Sequence, residues 1–366
     1  MNNGKGREDL ILTPRSARWP SWHVRSMALA LAVGFLLCAG GGRAWAQAVP
    51  NGAVNGLVPR FVDVDGLHTR YYRAGHGEPL VLIHGGRSGG VSNSANVWSK
   101  NIRPLSRRFE VLAPDRPGHG LTEGTLAQSK DYEFQVNWLY HFILAMKLGR
   151  VNLVGHSSGG AIAFFFAVAH PEMVKTLVVI ASGPEIPGIF SHPQRLESLL
   201  KTCAPATTYQ AWKCRVGLLS YAPQIAFSDP FLEAERAMYS YRENHLGPSY
   251  RTTPKHKPGQ LPKPAPQFFT YRKASLERAR AGALGAMPVM IYYGKQDPLD
   301  WYAGDKTAQL SGAMAFFDVL GAKDPNVSLK VLNHAGHFVY RVHPRQFDND
   351  LTSFIGFWDQ HMSTTK

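Results

Sequence analysis

Val151-Asn152-Leu153-Val154-Gly155-His156-Ser157-Ser158-Gly159-Gly160 joins an apolar run of strand length to a segment, Ala161 to His170, that reads as a buried helix. A serine flanked by glycines at such a junction sits on a tight strand-to-helix turn, because residues without Cβ atoms let strand and helix approach closely. The turn holds the Ser157 hydroxyl at the sheet edge, and the N-terminus of the helix faces any negative charge that develops there. The alternative is a Gly/Ser loop with no chemistry, and the strand before and the helix after weigh against it. This stretch therefore decides what the flanking sequence has to supply.

Working outward, Asp65-Gly66 separates Phe61–Val64 from Leu67–Tyr72, a hairpin signal because both turn positions take positive φ. Pro79 to Ile83 and Phe109 to Ala113 are continuous apolar runs, as strands buried on both faces of a parallel sheet require. The first ends in His84-Gly85-Gly86, the second in Asp115-Arg116-Pro117-Gly118-His119-Gly120. Tyr132 to Leu148 has helical spacing, and Thr176 to Ile180 is a further strand. From Ser182 to about Ala286 this rhythm gives way to helical and proline-punctuated segments, including a helix from Pro230 toward Asn244 behind Ser228 as cap. Gly247 to Pro266 reads as an extended loop. Strands resume at Pro288–Tyr293 and Val327–Leu332, and a helix over Gln346–Trp358 closes the chain. The expected class is α/β: a mostly parallel sheet flanked by helices, with an inserted, mainly helical cap. The expected division is a leader over 1–46, core over 47–182, cap over 183–286 and core again over 287–366.

The leader carries Lys5, Arg7, Arg15, Arg18 and Arg25, then an apolar run from Met27 to Ala39, then Ala44-Trp45-Ala46. This is the pattern of a secretory signal peptide cleaved near Gln47, and the run is short for a transmembrane helix. The expected location is periplasmic or secreted, with no stable membrane insertion after cleavage; an uncleaved anchor is the alternative. Cys203 and Cys214 are then the remaining cysteines, compatible with one disulfide in an oxidising compartment or with two buried thiols. The chain has a formal charge of +14, of which the leader supplies six basic residues against two acidic, leaving about +10. No nucleic-acid-binding motif accompanies that charge, so the expected partner is a small molecule. Composition carries no information on the oligomeric state.

A serine hydroxyl needs a base, and the base needs an orienting carboxylate. In a parallel sheet both come from loops after later strands. Asp297 follows one such strand in Gly294-Lys295-Gln296-Asp297-Pro298, and His337 follows another in Asn333-His334-Ala335-Gly336-His337-Phe338. Rivals are Glu185 and Asp300 for the acid, His334 for the base and Ser158 for the nucleophile. The backbone N–H groups of Gly86 and Ser158 are the candidate donors to a tetrahedral oxyanion. His84, His119 and His156 are read as packing residues around the site. There is no H-E-x-x-H, paired C-x-x-C or phosphate-binding loop, so no metal or cofactor is expected.

His84-Gly85-Gly86, Asp115 to Gly120, Gly155 to Gly160, Asp297 and Gly336-His337 together resemble the α/β-hydrolase superfamily. That resemblance implies a serine hydrolase acting through an acyl-enzyme on Ser157. The loop from Gly90 to Trp98, the helix Phe231–Asn244 and Trp301 are similar to the meta-cleavage product hydrolases, which cut carbon–carbon bonds in diketo acids. That branch carries Asn before the nucleophile, Trp after the histidine and an acid near position 342, where this chain has His156, Phe338 and Val342. These departures place cleavage of an ester or lactone of a small anionic or aromatic molecule first, carbon–carbon hydrolysis second and a non-catalytic binding scaffold third. Residues 183–286 hold 14 Lys and Arg against seven Asp and Glu. An anionic substrate drawn by that field would meet Arg236, Arg242 or Arg272, with Trp301 and Phe338 lining the pocket.

Overall fold

A computed structural model describes residues 52–86, 94–182, 202–203, 209–245, 266–300 and 310–363. The chain divides into Met1–Pro50 and Asn51–Lys366, and all described residues belong to the second unit. The leader, the loop 87–93, Glu185, Trp301 and the basic loop 247–265 lie outside the described residues.

Eight strands form one sheet: β1 (Arg60–Val64), β2 (Leu67–Ala74), β3 (Glu78–Ile83), β4 (Phe109–Pro114), β5 (Val151–His156), β6 (Val174–Ile180), β7 (Val289–Gly294) and β8 (Val327–Leu332). Their order is β1-β2-β4-β3-β5-β6-β7-β8. β1 and β2 pair antiparallel through the Asp65-Gly66 turn, whose φ values of 50° and 77° are those the dipeptide predicts. From β4 onward every pairing is parallel. β5 lies at the centre and is buried along its whole length, which is why its sequence is a continuous apolar run rather than an alternating one.

Helices cover the sheet. α1 (Tyr132–Ala145) and α2 (Ser158–Ala169) pack on each other, and α2 also packs on β5 and β6. α2 buries Phe164, Phe165 and Phe166 completely, each side chain contributing about 1.5–3 kcal/mol of transfer free energy. Beyond β6, α3 (Tyr209–Leu219), α4 (Pro223–Ala226) and α5 (Asp229–His245) are the helices described in the segment expected as cap. α6 (Pro266–Arg280) packs against α1, α2 and α7 (Ser311–Gly321), so the last part of the segment expected as cap belongs to the helical layer on the sheet. The short α8 (Val339–Val342) leads into α9 (Pro344–Ser363), which buries Phe347, Leu351 and Ile355 at four-residue spacing. Cys203 and Cys214 form a disulfide that ties the chain before α3 to that helix. Among the described residues no helix is long and apolar enough to cross a membrane.

Candidate active site

Ser157 ends β5 with φ 53° and ψ −125°, a conformation that costs an L-residue about 1–3 kcal/mol and persists only where the surroundings impose it. They do. Ser157 N–H donates to the Ile180 carbonyl at 2.8 Å, and the Ser157 carbonyl accepts from Ala161 N–H at 3.1 Å and from Ser182 Oγ at 2.6 Å. A Cβ on Gly159 would meet the carbonyls of Ile83 and His84, and one on Gly155 would meet the backbone of Gly159 and Gly160. The two glycines of the motif thus let the start of α2 approach the ends of β3 and β5 closely.

His337 and Asp297 come from the loops after β8 and β7. His337 Nδ1 lies 2.8 Å from Asp297 Oδ2, both side chains being buried. The other Asp297 oxygen accepts from Leu299 N–H at 2.9 Å. A carboxylate has no proton to donate, so Nδ1 carries the hydrogen and Nε2 is the basic nitrogen. Asp300 lies close by. Burial and the charge of Asp297 push its carboxyl up to about 8, and its Oδ2 accepts from Ala313 N–H at 3.2 Å. It is therefore a neutral acid near pH 7 that caps α7 rather than a second orienting carboxylate. His334 faces Tyr221, its Nδ1 3.0 Å from the phenol oxygen, so His337 and not His334 is the histidine paired with Asp297.

The loop after β3 is held by residues from the second glycine motif. Arg116 N–H donates to His84 Nε2 at 3.0 Å, which leaves His84 Nδ1–H to donate to the Gly85 carbonyl at 2.6 Å. The Arg116 guanidinium donates to the Gly86 carbonyl at 2.9 Å and to that of Gly85 at 3.3 Å, and Ser158 Oγ donates to the Gly86 carbonyl at 2.7 Å. The peptides are trans, so fixing the Gly85 carbonyl on the Arg116 side turns Gly86 N–H to the opposite side. Gly86 has φ 117°, open to glycine and strained for other residues. Ser158 is the first residue of α2, where a backbone N–H has no acceptor within the helix. Asp115 serves the scaffold: it accepts twice from buried Arg70, at 3.0 and 3.1 Å, and from the N–H groups of Ala95 and Leu121.

The segment with α4 and α5 is fastened to the core by charged groups not assigned a role from the sequence. Arg341, fully buried, donates to the carbonyls of Ala226 at 2.8 Å and Val97 at 2.5 Å and lies 4.2 Å from the Phe231 ring centroid. Lys100 donates to the Ile225 carbonyl. On α5, Glu235 accepts from Ser94 Oγ at 2.5 Å. Burial pushes the Glu235 carboxyl up to about 7, against the opposing effects of the Ser94 bond, Arg70 and Arg341 and with the help of Asp115. A value raised on folding means that the folded protein holds this proton more tightly than the unfolded chain does. The associated stability is complete below the glutamate range and is lost as pH rises through about 7. Glu235→Gln keeps an acceptor for Ser94 without the charge. It is expected to be more stable than the wild type by roughly 3 kcal/mol at about pH 8 and equal to it near pH 4. Thermal melts at both pH values check this; a difference independent of pH contradicts it.

The remaining expected site residues are dispersed. Phe338 packs between His156 and Phe227, 5.1 and 5.0 Å between ring centroids, one residue from the base. Arg236 is exposed on α5, and the Arg242 side chain and Trp301 lie outside the described residues. Arg272 does not belong to the cap. It sits on α6, buried, 5.3 Å over the Tyr132 ring, because α6 is drawn onto the core helices by its apolar face. Among the described residues no cluster of His, Cys, Asp and Glu could hold a metal ion.

A serine on a strained turn after the central strand, with a histidine–aspartate pair from later strand ends, defines a hydrolase of the α/β class. The chain belongs to the α/β-hydrolase fold family, whose profile matches residues 78–344. The 2-hydroxy-6-oxo-6-(2'-aminophenyl)hexa-2,4-dienoic acid hydrolase of Metapseudomonas resinovorans is 26% identical over 322 residues, covering 85% of this chain and 95% of that protein. The 2-hydroxy-6-oxo-2,4-heptadienoate hydrolase of Pseudomonas putida is 37% identical over 129 residues, 35% of this chain and 46% of that protein. Among solved structures, a variant of the meta-cleavage product hydrolase CumD matches with a TM-score of 0.61 at 20% identity, over 82% of this chain and 98% of that one. A bacterial membrane phospholipase A matches with 0.60 at 19% identity, over 92% and 99%. At such identities the structural matches show the fold alone.

Proposed function

We propose that this protein hydrolyses a carbon–carbon bond next to a ketone in a small, conjugated keto acid, with Ser157, His337 and Asp297 as the reacting groups. The observation that carries the reading is the relationship along 95% of a hydrolase of a 2-hydroxy-6-oxo-dienoic acid. The local geometry supports it. His337 Nε2 takes the Ser157 proton as Oγ adds to the ketone carbon, and Asp297 stabilises the imidazolium. Backbone N–H groups of Gly86 and Ser158 receive the oxyanion. Carbon is a poor leaving group unless its electron pair is delocalised, so the 2-hydroxyl proton of the substrate first moves to the carbon next to the ketone, giving the diketo form. Collapse then breaks the carbon–carbon bond, the electron pair spreads onto the 2-keto oxygen as a dienolate, and that oxygen takes the proton from His337. Water, deprotonated by His337, then releases the acyl group from Ser157. One water is consumed; a carboxylic acid and a dienoic acid are formed.

Ester or lactone cleavage is the second reading, favoured by His156, Phe338 and Val342 where the carbon–carbon branch carries Asn, Trp and an acid. Both reactions use the same groups and differ in the leaving atom. A panel of p-nitrophenyl esters, lactones and a 2-hydroxy-6-oxo-dienoate separates them. The dienoate is expected to exceed the best ester in kcat/KM by about a hundredfold; the reverse order establishes the second reading and removes the first.

A further inference from the structure

His337 is held from three directions. Its side chain is tied to Asp297 at 2.8 Å. Its backbone N–H donates to the carbonyl of Leu219 at the end of α3, at 2.9 Å. Its backbone carbonyl lies 2.9 Å from Nε2 of His156, the residue immediately before Ser157. The third link joins the strand carrying the nucleophile directly to the loop carrying the base, across 181 residues of sequence.

We propose that His156 is a positioning residue whose Nε2–H fixes the His337 carbonyl and thereby sets the His337 imidazole relative to Ser157. The hydrogen-bond chemistry admits one tautomer. A backbone carbonyl only accepts, so His156 Nε2 carries the hydrogen and Nδ1 is the acceptor. The buried Tyr340 hydroxyl stands 3.3 Å from Nδ1 and donates to it. Burial keeps that phenol protonated, since it raises the Tyr340 pKa far above its ordinary value. The ring is wedged as well as bonded. Its centroid is 4.6 Å from that of His337, 5.1 Å from Phe338 and 5.0 Å from Tyr340. Tyr340 in turn packs 4.3 Å from Trp98.

His156 must remain neutral in this place. It faces His337, which becomes a cation during turnover, and also His84 and the Arg116 guanidinium. Burial first, then those groups, hold its pKa well below the ordinary histidine value, against the opposing bond to the His337 carbonyl. A neutral ring adds no repulsion to the imidazolium that forms 4.6 Å away. Asp297 alone cannot replace this anchor. The bond at Nδ1 fixes the ring at one end, and the bond to the backbone carbonyl fixes the main chain from which the side chain projects.

The proposal rests on Ser157, His337 and Asp297 being the reacting groups, and its test separates the two ideas. Labelling by a fluorophosphonate reads the first: a wild type that is folded and not labelled ends it. The second is read by nitrogen NMR of the wild type, which needs no turnover. His156 is expected as the neutral Nε2–H tautomer from about pH 6 to about pH 8, and an Nδ1–H tautomer or a cation in that range overturns the proposal. His156→Phe keeps the bulk and removes the donor, whereas His156→Gln places an amide N–H near the position of Nε2. His156→Phe is expected to lower kcat about a hundredfold, with KM changed less than about threefold, and to weaken the downfield Nδ1 proton signal of His337. His156→Gln is expected to recover kcat to within about tenfold of wild type. A folded His156→Phe enzyme with wild-type kcat and an unaltered His337 signal overturns the proposal. So does a His156→Gln enzyme as slow as the Phe variant.

Discussion

Ser157→Ala is expected to lower kcat about a millionfold while leaving the fold and substrate affinity nearly intact, because groups that act as one unit lose almost everything when the nucleophile goes. A millionfold corresponds to about 8 kcal/mol of transition-state stabilisation. Folding is spared for a local reason. The backbone bonds that impose φ 53° at this position run from the Ser157 N–H and carbonyl, not from Oγ. Alanine bears the same conformational strain as serine there. Stopped-flow assays with the preferred substrate and a thermal melt check both halves. A Ser157→Ala protein that retains more than about a hundredth of the wild-type rate would transfer the nucleophile to another group.

Asp297→Asn is the second large effect, expected at about a ten-thousandfold loss in kcat. The structure says which way the new amide turns. The oxygen of residue 297 that faces Leu299 N–H at 2.9 Å must stay an acceptor, so the NH2 group faces His337 Nδ1. That nitrogen then becomes an acceptor, the hydrogen moves to Nε2, and the base presents a proton where it needs a lone pair. Asp300 does not take over. Its carboxyl is engaged with the start of α7 and is neutral near pH 7. Single-turnover rates for Asp297→Asn and Asp300→Asn test this pair. A loss below about tenfold at Asp297 would return the acid role to Glu185.

How much of the site was legible depended on how local each requirement is. The turn around Ser157 needs glycine on both sides within a few residues, and the loops carrying Asp297 and His337 follow strands, so all three residues stand out as candidates from spacing. Asp297 was preferred to Asp300 from the sequence, but which carboxylate meets His337 and which meets the amides before α7 is a tertiary contact that spacing does not contain. The surroundings of Arg272 were not legible for a related reason: charge counts show that a segment is basic, but not that α6 packs on α1 and α2. His156 looked like loop packing because its partners, the His337 carbonyl and the Tyr340 hydroxyl, lie 181 and 184 residues away.

Sequence by itself determined the α/β rhythm, the hairpin at Asp65-Gly66, the turn at Ser157 and the order of Ser157, Asp297 and His337 after their strands. Each of these rests on short-range rules: backbone angles open to glycine, apolar runs that bury both faces of a strand, and loops that must follow strand ends. Tertiary structure alone decided how those groups are held. It brought Arg116 to the loop carbonyls after β3, Arg341 and Glu235 to the seam between the core and the segment with α4 and α5, and Leu219 and His156 to the backbone N–H and carbonyl of His337. Such contacts form only when the sheet closes and distant loops meet, so they leave no periodicity or motif in the chain.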